Sequence, residues 1–498
     1  MDTISTHPLS GVSYAIPQDS RDERAKLESF RSKHREKPVV VVQGLGFVGA
    51  VMSLVCANAL HGEYAVIGVD LDTPGSWWRI ASLRDGVFPL AASDPKISEF
   101  FERAKAQDNF YATADPYAYA LAETIIVDVN LDVSKKLAPD NAFNEFGVEL
   151  EGFRSAIETI GKYCRADALV LVETTVPPGT CEKVVRPILH EALRARTLST
   201  DNLRIGHCYE RVMPGPDYID SIRTFPRVYA GVDGPSADAT ERFLKTIIDT
   251  ERCPLTRLHS TNATEMAKVL ENSFRAMNIA FMVEWSRFAE EAGVDIYSVV
   301  QAIRQRPTHA NLMLPGIGVG GYCLTKDPLL ASWSRQQLFA GDAALEFSER
   351  AVRVNDGMPY FAFEFLRGQM PDLMGRKALL LGVSYRGDVG DTRFTPVEPF
   401  FDQLVGVGAK VFLHDPFVPY WPEQKVSVSQ DIASILAERP DVIVATAGHR
   451  EYRSRKFLEA LCNAAPTLVI DTIGLWTNDE LNALASRHKV KVLGRGDL

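Results

Sequence analysis

Four consecutive valines, residues 39–42, run directly into Gly44-Leu45-Gly46-Phe47-Val48-Gly49, and an apolar segment follows through Ala59. Few local patterns constrain a fold as tightly. A β-branched run must end, the glycines must close a tight turn, and a helix must begin at once. A second apolar run, residues 65–69, ends in Asp70, about 21 residues past Gly49. A glycine turn that opens a helix offers backbone N–H groups to a pyrophosphate, and an acid at that distance suits the hydroxyls of an adenosine ribose. The carboxylate repels a 2′-phosphate, so the pattern predicts NAD and not NADP. The competing reading is a tight turn in a sheet that binds nothing; it does not call for an acid at residue 70.

The rest of the chain continues the alternation. Residues 124–129 and 168–172 are apolar and β-branched, which predicts two more strands of a parallel, doubly wound sheet. From Thr261 to Ala292 there is neither proline nor glycine, and Gly293 follows as a C-cap, so one long helix is expected. Helical character resumes over 298–304 and 341–355. Strand patterns return at 377–381, 409–413, 441–445 and 467–470. The expected fold class is α/β: two Rossmann-like doubly wound domains joined by a mainly helical central domain with a long helix. The expected divisions are an N-terminal extension (1–36), a cofactor domain (37–235), a helical centre (236–360) and a second α/β domain (361–498). At 498 residues, two or three domains are anticipated. The first 36 or so residues are polar and charged, partly helical around 21–35, with no assignable chemistry.

Bulk properties exclude some classes. A formal net charge of −10 argues against sequence-independent binding of nucleic acid or of an anionic membrane. No apolar run approaches a membrane span, and the N-terminus lacks the apolar core of a signal peptide. The seven cysteines are scattered without a CxxC pair, which suits a reducing, cytoplasmic setting and neither a disulfide framework nor a metal site.

One cysteine stands out. Residues 316–328 read GIGVGGYCLTKDP, which places Gly316, Gly318, Gly320 and Gly321 before Cys323 and Asp327 after it. Glycines let a ligand approach the backbone, and a thiol beside such a loop is well placed to attack a carbonyl held there. A flexible loop beside an inert cysteine is the alternative.

These motifs, in order, resemble the UDP-glucose/GDP-mannose dehydrogenase family: GLGFVG (44–49) with VDLD (69–72), ETTVPPGT (173–180), ERVMPG (210–215), EMAKVLENSFRAMNIAF (265–281), GIGVGGYCLTKDP (316–328) and GVSYRGDVGDTR (382–393). Within it, the ENSFRAMNIAF helix is most similar to the bacterial branch acting on UDP-N-acetylhexosamines. The resemblance implies an NAD-dependent four-electron oxidation of a nucleotide-sugar hydroxymethyl to a carboxylate, through an aldehyde and a thioester on Cys323. It implies that Lys268 and Asn272, one turn apart on one helix face, stabilise a developing oxyanion. Asp327 is expected to orient water and tune Lys268, and Glu210 to act as base for thioester hydrolysis. Glu173 and Thr175 are expected at the nicotinamide end, or else as ordinary strand-end residues. Arg211 is a substrate contact or simply a partner of Glu210. Tyr385, Arg386 and Arg393 are expected in the nucleotide-sugar site, though Asp391 could occupy Arg393 as an ion pair. Asp415 does not mark a second NAD site, because residues 382–385 do not complete the fingerprint. The long helix is expected to form a homodimer interface; ordinary core is the alternative.

Three positions depart from the family pattern. Asn130 stands where a threonine helps position water and cofactor, Tyr322 where a histidine commonly precedes the cysteine, and Tyr209 where a proline precedes Glu210. Two other readings stay open: a two-electron NAD-dependent hydroxyacid or sugar-acid dehydrogenase, and a nucleotide-sugar-binding protein without activity. The first needs no nucleophilic thiol; the second needs no set such as Cys323, Lys268, Asn272 and Asp327.

Overall fold

A computed structural model describes residues 3–8, 10–90, 93–137, 143–212 and 215–498. Met213 and Pro214, within the 210–215 motif, lie outside the described residues. The chain forms two compact units. The first comprises Met1–Ser134, Gly147–Val269 and Trp333–Ala344; the second comprises Lys135–Phe146, Leu270–Ser332 and Leu345–Leu498.

The first unit is built on an eight-stranded sheet. Its spatial order is Thr256–Arg257, Val228–Gly231, Arg204–His207, Leu169–Val172, Thr124–Val127, Val39–Gln43, Ala65–Val69, Phe110–Thr113. Neighbours run parallel, except that Arg204–His207 and Val228–Gly231 are antiparallel. The central strands are buried along their whole length, as expected of apolar runs covered on both faces. Helix Gly49–Ala57 is likewise buried at every residue. The predicted strands at 39, 65, 124 and 169 are present within one or two residues. The outer ones were not anticipated: they are two to four residues long and read FYAT, RIGH, VYAG and TR, without the unbroken apolar run of the inner strands.

The N-terminal stretch belongs to this unit. Ile4–Thr6 pairs antiparallel with Ser13–Ala15, and helix Arg24–Lys33 buries Leu27 and Phe30. Buried side chains there, and the contacts described below, make it part of the fold and not an appendage.

The second unit carries a five-stranded, wholly parallel sheet in the order Lys410–His414, Lys377–Leu381, Val442–Ala445, Leu468–Asp471, Lys489–Val492. The last strand, KVKV, was not among the expected ones; its lysines break the apolar run that marks the other four. Helix Ile296–Arg304 starts where the Asp295 carboxylate accepts from the backbone N–H groups of Tyr297 and Ser298.

The long helix spans Thr261–Ala292 as expected. Gly293, at φ +70°, ends it, and the Val294 N–H bonds back to the Ala289 carbonyl at 2.9 Å. The helix expected at 341–355 begins only at Glu346. Before it the chain turns, with Ala340 at φ +52° and the Gly341 N–H bonded to the Arg335 carbonyl at 2.7 Å. Among the described residues no helix is long and apolar enough to cross a membrane.

Candidate active site

In the first unit the three glycines of the turn have separate reasons. Gly44 sits at φ +95°, and a Cβ there would lie 2.3 Å from the Asp128 carbonyl oxygen. A Cβ on Gly49 would meet the Gly44 carbonyl oxygen at 1.8 Å, so that glycine is required for helix and turn to pack. At Gly46 a Cβ meets nothing within 4 Å. Protein packing therefore does not explain Gly46, whereas close approach of a pyrophosphate does. Asp70 is buried and accepts from the backbone N–H groups of Leu45 (3.1 Å) and Leu71 (2.7 Å) and from Arg79 Nη1 (3.2 Å). Of about four acceptor positions on a carboxylate, one is left for a ribose hydroxyl. The residues present thus fit a dinucleotide, with Leu45, Phe47 and Val48 completing the turn. Replacing Gly46 by valine is expected to weaken NAD binding with little change in melting temperature. The same change at Gly49 is expected to unfold the turn. Isothermal titration and thermal melts on the two variants check this.

The strand exits beyond the turn are tied together by Thr174, which sequence reasoning passed over. Its hydroxyl accepts from the Val129 N–H at 3.0 Å and lies 3.1 Å from the Val127 carbonyl. Asn130 is exposed beside it, and Thr175 is half-buried. Glu173 is different: it has no solvent exposure, and its carboxylate lies 3.7 Å from the guanidinium of Arg227, which is also inaccessible. Burial pushes the Glu173 carboxyl up to about 7, with Arg227 opposing the shift. Burial also pushes Asp128 well up, with Glu173 and Glu210 adding to it. Arg227 donates through Nη1 to the Tyr209 carbonyl at 2.7 Å. Nothing in the sequence around Arg227 signals this role.

Glu210 is buried beside Lys268, whose ammonium donates to the Glu210 carbonyl at 2.9 Å and lies 3.5 Å from its carboxylate. The other carboxylate oxygen accepts from the Val212 N–H at 2.5 Å. Arg211 is directed elsewhere, donating to the Pro226 carbonyl at 2.8 Å and to the Tyr209 hydroxyl at 3.2 Å. Tyr209, in place of the usual proline, puts its ring 5.5 Å from both the Lys268 and the Arg211 cations.

In the second unit Cys323 is half-buried, and its carbonyl accepts from the Asp327 N–H at 2.9 Å, so a turn leads straight from the thiol into helix Asp327–Gln337. Cys56, Cys164, Cys181 and Cys208 are buried, and burial pushes Cys164 up to about 11 and Cys208 to about 12, as befits inert thiols. Asp327 is fully buried and accepts from Asn272 Nδ2 at 2.6 Å. Within this unit its cationic partner is Lys326, at 2.8 Å, a residue not singled out from sequence. Lys326 also lies 4.5 Å over the Tyr322 ring, and Tyr322 packs beside Phe394.

The glycines before Cys323 have a packing role within this unit. A Cβ on Gly320 would lie 2.5 Å from Tyr385 Cβ, one on Gly321 2.8 Å from the Tyr385 ring, and one on Gly318 2.8 Å from Pro396. These three are needed to pack the cysteine loop onto the 382–396 loop. Gly316 has only an ordinary contact, with Ile473 at 3.8 Å. Burial raises the half-buried Tyr385 hydroxyl, while Arg386 is exposed. Arg393 is forked onto Asp391, at 2.9 and 2.7 Å, so the ion pair anticipated as an alternative is present. Asp415 is fully buried and accepts from the N–H groups of Val383, Ser384, Phe417 and Val418 and from His449 Nε2. It has no capacity left for a ribose. Among the described residues no group of three or more His, Cys, Asp or Glu side chains is arranged to hold a metal.

Residues 38–248 match the family's NAD binding domain, 262–357 its central domain and 379–478 its UDP binding domain. The chain belongs to the UDP-glucose/GDP-mannose dehydrogenase family. It is an NAD-dependent nucleotide-sugar dehydrogenase. A UDP-N-acetyl-D-mannosamine dehydrogenase of Methanocaldococcus jannaschii is 28% identical over 421 residues, which cover 83% of this chain and 86% of that one. An NDP-N-acetyl-D-galactosaminuronic acid dehydrogenase of Ralstonia nicotianae is 25% identical, covering 89% and 97%. Among solved structures, a UDP-D-ManNAc dehydrogenase from Pyrococcus horikoshii shares the fold, with a TM-score of 0.76 at 24% identity over 92% of this chain and 100% of that one.

Proposed function

We propose that the chain oxidises the C6 hydroxymethyl of a UDP-N-acetylhexosamine to a carboxylate in two successive two-electron steps. The observation that carries this is Cys323: it is a half-buried thiol one turn from Asp327, in the unit that holds the UDP binding domain. A two-electron dehydrogenase has no use for such a thiol. NAD, when bound, accepts one hydride in each oxidation. The Cys323 sulfur bonds to C6 of the aldehyde as the carbonyl π bond opens, and the proton lost by the thiol is returned by way of solvent to the carbonyl oxygen, which becomes a hydroxyl. It stays bonded through the second oxidation, as a thioester. Water then adds, the carbon–sulfur bond breaks, and the thiol is restored beside a carboxylate product. Asn272 and Lys268 offer N–H groups to the oxyanion that forms on C6. Glu210 takes the proton of the attacking water, and the fixed Asp327 orients that water. Arg393, with Arg386 and Tyr385, serves the diphosphate and sugar. The names of the relatives, which differ in the hexosamine, support an N-acetylhexosamine without selecting one.

The test is NADH formed per sugar consumed with UDP-N-acetylmannosamine, UDP-N-acetylgalactosamine, UDP-N-acetylglucosamine, UDP-glucose and GDP-mannose. Two per sugar with one of the first three supports the proposal. One per sugar would promote the two-electron reading, and binding without NADH would promote the inactive one.

The same unit supports a homodimer. Leu270, Phe274, Met277, Phe281, Trp285 and Phe288 recur at helical spacing on the long helix and are all exposed, Phe288 at 59%. Phe347, at 80% exposure, adds to an apolar surface that includes Phe274 and Phe281. A second copy of the chain would cover it. Phe281→Glu is expected to convert a dimer into a monomer, read by light scattering; an unchanged mass would place the interface elsewhere.

A further inference from the structure

The residues that precede the sheet of the first unit are absent from every function discussed so far, yet they grip the cofactor domain at chosen points. Asp70 heads a loop, residues 71–76, that is exposed except at the half-buried Asp72 and the buried Ser76. Asp72 within it accepts from Ser20 Oγ at 2.8 Å and from the Nε and Nη2 groups of the Arg21 guanidinium, with Nε 2.9 Å from each carboxylate oxygen. That guanidinium holds the Asp72 carboxyl below its usual range. Ser5, fully buried, donates to the Pro74 carbonyl at 2.8 Å and accepts from the Trp78 N–H at 2.9 Å. The loop is therefore tied near its start, its middle and its end by side chains from the N-terminal segment.

The same segment holds a second strand exit. The buried Glu23 carboxylate accepts from Thr113 Oγ1 at 2.7 Å and pairs with Arg84, and the Glu23 N–H donates to Asp115 at 2.7 Å. Thr113 ends the strand beside Ala65–Val69, and its carbonyl accepts from the Asp70 N–H at 3.2 Å. In a parallel α/β sheet, ligands bind at the carboxyl ends of the strands, and the adenosine half of a dinucleotide lies beside the acid that ends the second strand. The two exits held by the segment are those at and next to that acid.

We infer that Ser5, Ser20, Arg21 and Glu23 are positioning residues that hold the adenosine-side loops of the dinucleotide site in their binding geometry and so set the affinity for NAD. This rests on the NAD reading of the glycine turn and Asp70. The physical route is population. A mostly exposed loop released from its ties samples more conformations, and the apparent dissociation constant rises as the competent fraction falls.

The test uses the full chain with Arg21→Ala and the double variant Ser20→Ala/Arg21→Ala, both at positions where loss of the side chain opens no core. Isothermal titration is done with NAD and with ADP-ribose, which keeps the adenosine end and lacks the nicotinamide. Both ligands are expected to weaken by the same factor, roughly three- to tenfold, as a competent fraction of about a third to a tenth would give. In turnover the loss is expected in KM for NAD and neither in kcat nor in KM for the nucleotide-sugar. Unchanged dissociation constants in the double variant would overturn the inference. So would a rise in both KM values together with a lowered melting temperature, which is what a merely structural role gives. Failure of the unsubstituted chain to bind NAD or ADP-ribose would be a different result and would remove the cofactor reading itself.

Discussion

Cys323→Ser is expected to lower kcat for complete oxidation by roughly 10³-fold or more, the scale seen when an enzyme loses its nucleophile. A serine hydroxyl keeps the size and the hydrogen-bonding capacity of the position but supplies almost no anion near neutral pH, whereas a thiol supplies some and is intrinsically more nucleophilic. The surroundings should survive: Asp327 keeps Asn272 and Lys326, and the turn from residue 323 into the helix uses its backbone, not its side chain. Loss of activity would therefore report chemistry and not folding, which an unchanged melting temperature checks. Single-turnover experiments with excess enzyme should give at most one NADH per sugar, against two for the unsubstituted chain. Retention of full activity would sink the thioester route.

Arg227→Ala is expected to destabilise the first unit by about 3–5 kcal/mol, the range for removing one partner of a buried charged set. Arg227 is inaccessible, lies 3.7 Å from the Glu173 carboxylate and bonds the Tyr209 carbonyl. Without it, Glu173, Asp128 and Glu210 raise one another's carboxyls with no arginine to oppose the shift at Glu173. The effect carries a pH signature. The folded-state value for Glu173, about 7, lies above its ordinary 4.5. Between those values the folded chain binds more protons than the unfolded one, so this group's contribution to stability falls as pH rises through that window. Removing the arginine, which holds the value down, moves it further up. The deficit of the variant is then larger at pH 8 than at pH 6. Chemical denaturation at the two pH values reads this directly; a pH-independent deficit would show that Glu173 and Arg227 are not electrostatically linked.

The site was legible in sequence to different depths. Gly44, Gly49 and Asp70 were readable because fixed spacing between a strand, a turn and an acid leaves one geometry. Asn272 and Asp327 were both named, and their 2.6 Å bond is present, but the cation that shares Asp327 within the unit is Lys326. A lysine adjacent in sequence carries no periodic signal, and whether its ammonium turns inward depends on a desolvated carboxylate waiting there. Gly318, Gly320 and Gly321 were read as letting a ligand approach the backbone; that Tyr385 and Pro396, some 60 to 80 residues later, also require glycine there for packing was not legible. The N-terminal segment was read as an appendage because polar residues dominate it. Its Ser5 and Glu23 are buried through hydrogen bonds that composition does not reveal.

The sequence by itself determined the strand–turn–helix of the cofactor domain, the second parallel sheet, the uninterrupted helix ending at Gly293 and the family, because these rest on short-range periodicity and on ordered local motifs. Only the tertiary structure decided which charges are buried together, Arg227 with Glu173 and Lys326 with Asp327, and which distant side chains the N-terminal segment meets, Arg21 with Asp72 and Glu23 with Thr113. Pairs such as Arg227 with Glu173 are separated by tens of residues, and even neighbours such as Lys326 and Asp327 pair inside the protein only once packing has removed water. Desolvation makes a buried charge costly unless a partner faces it, and the fold alone sets which partner that is.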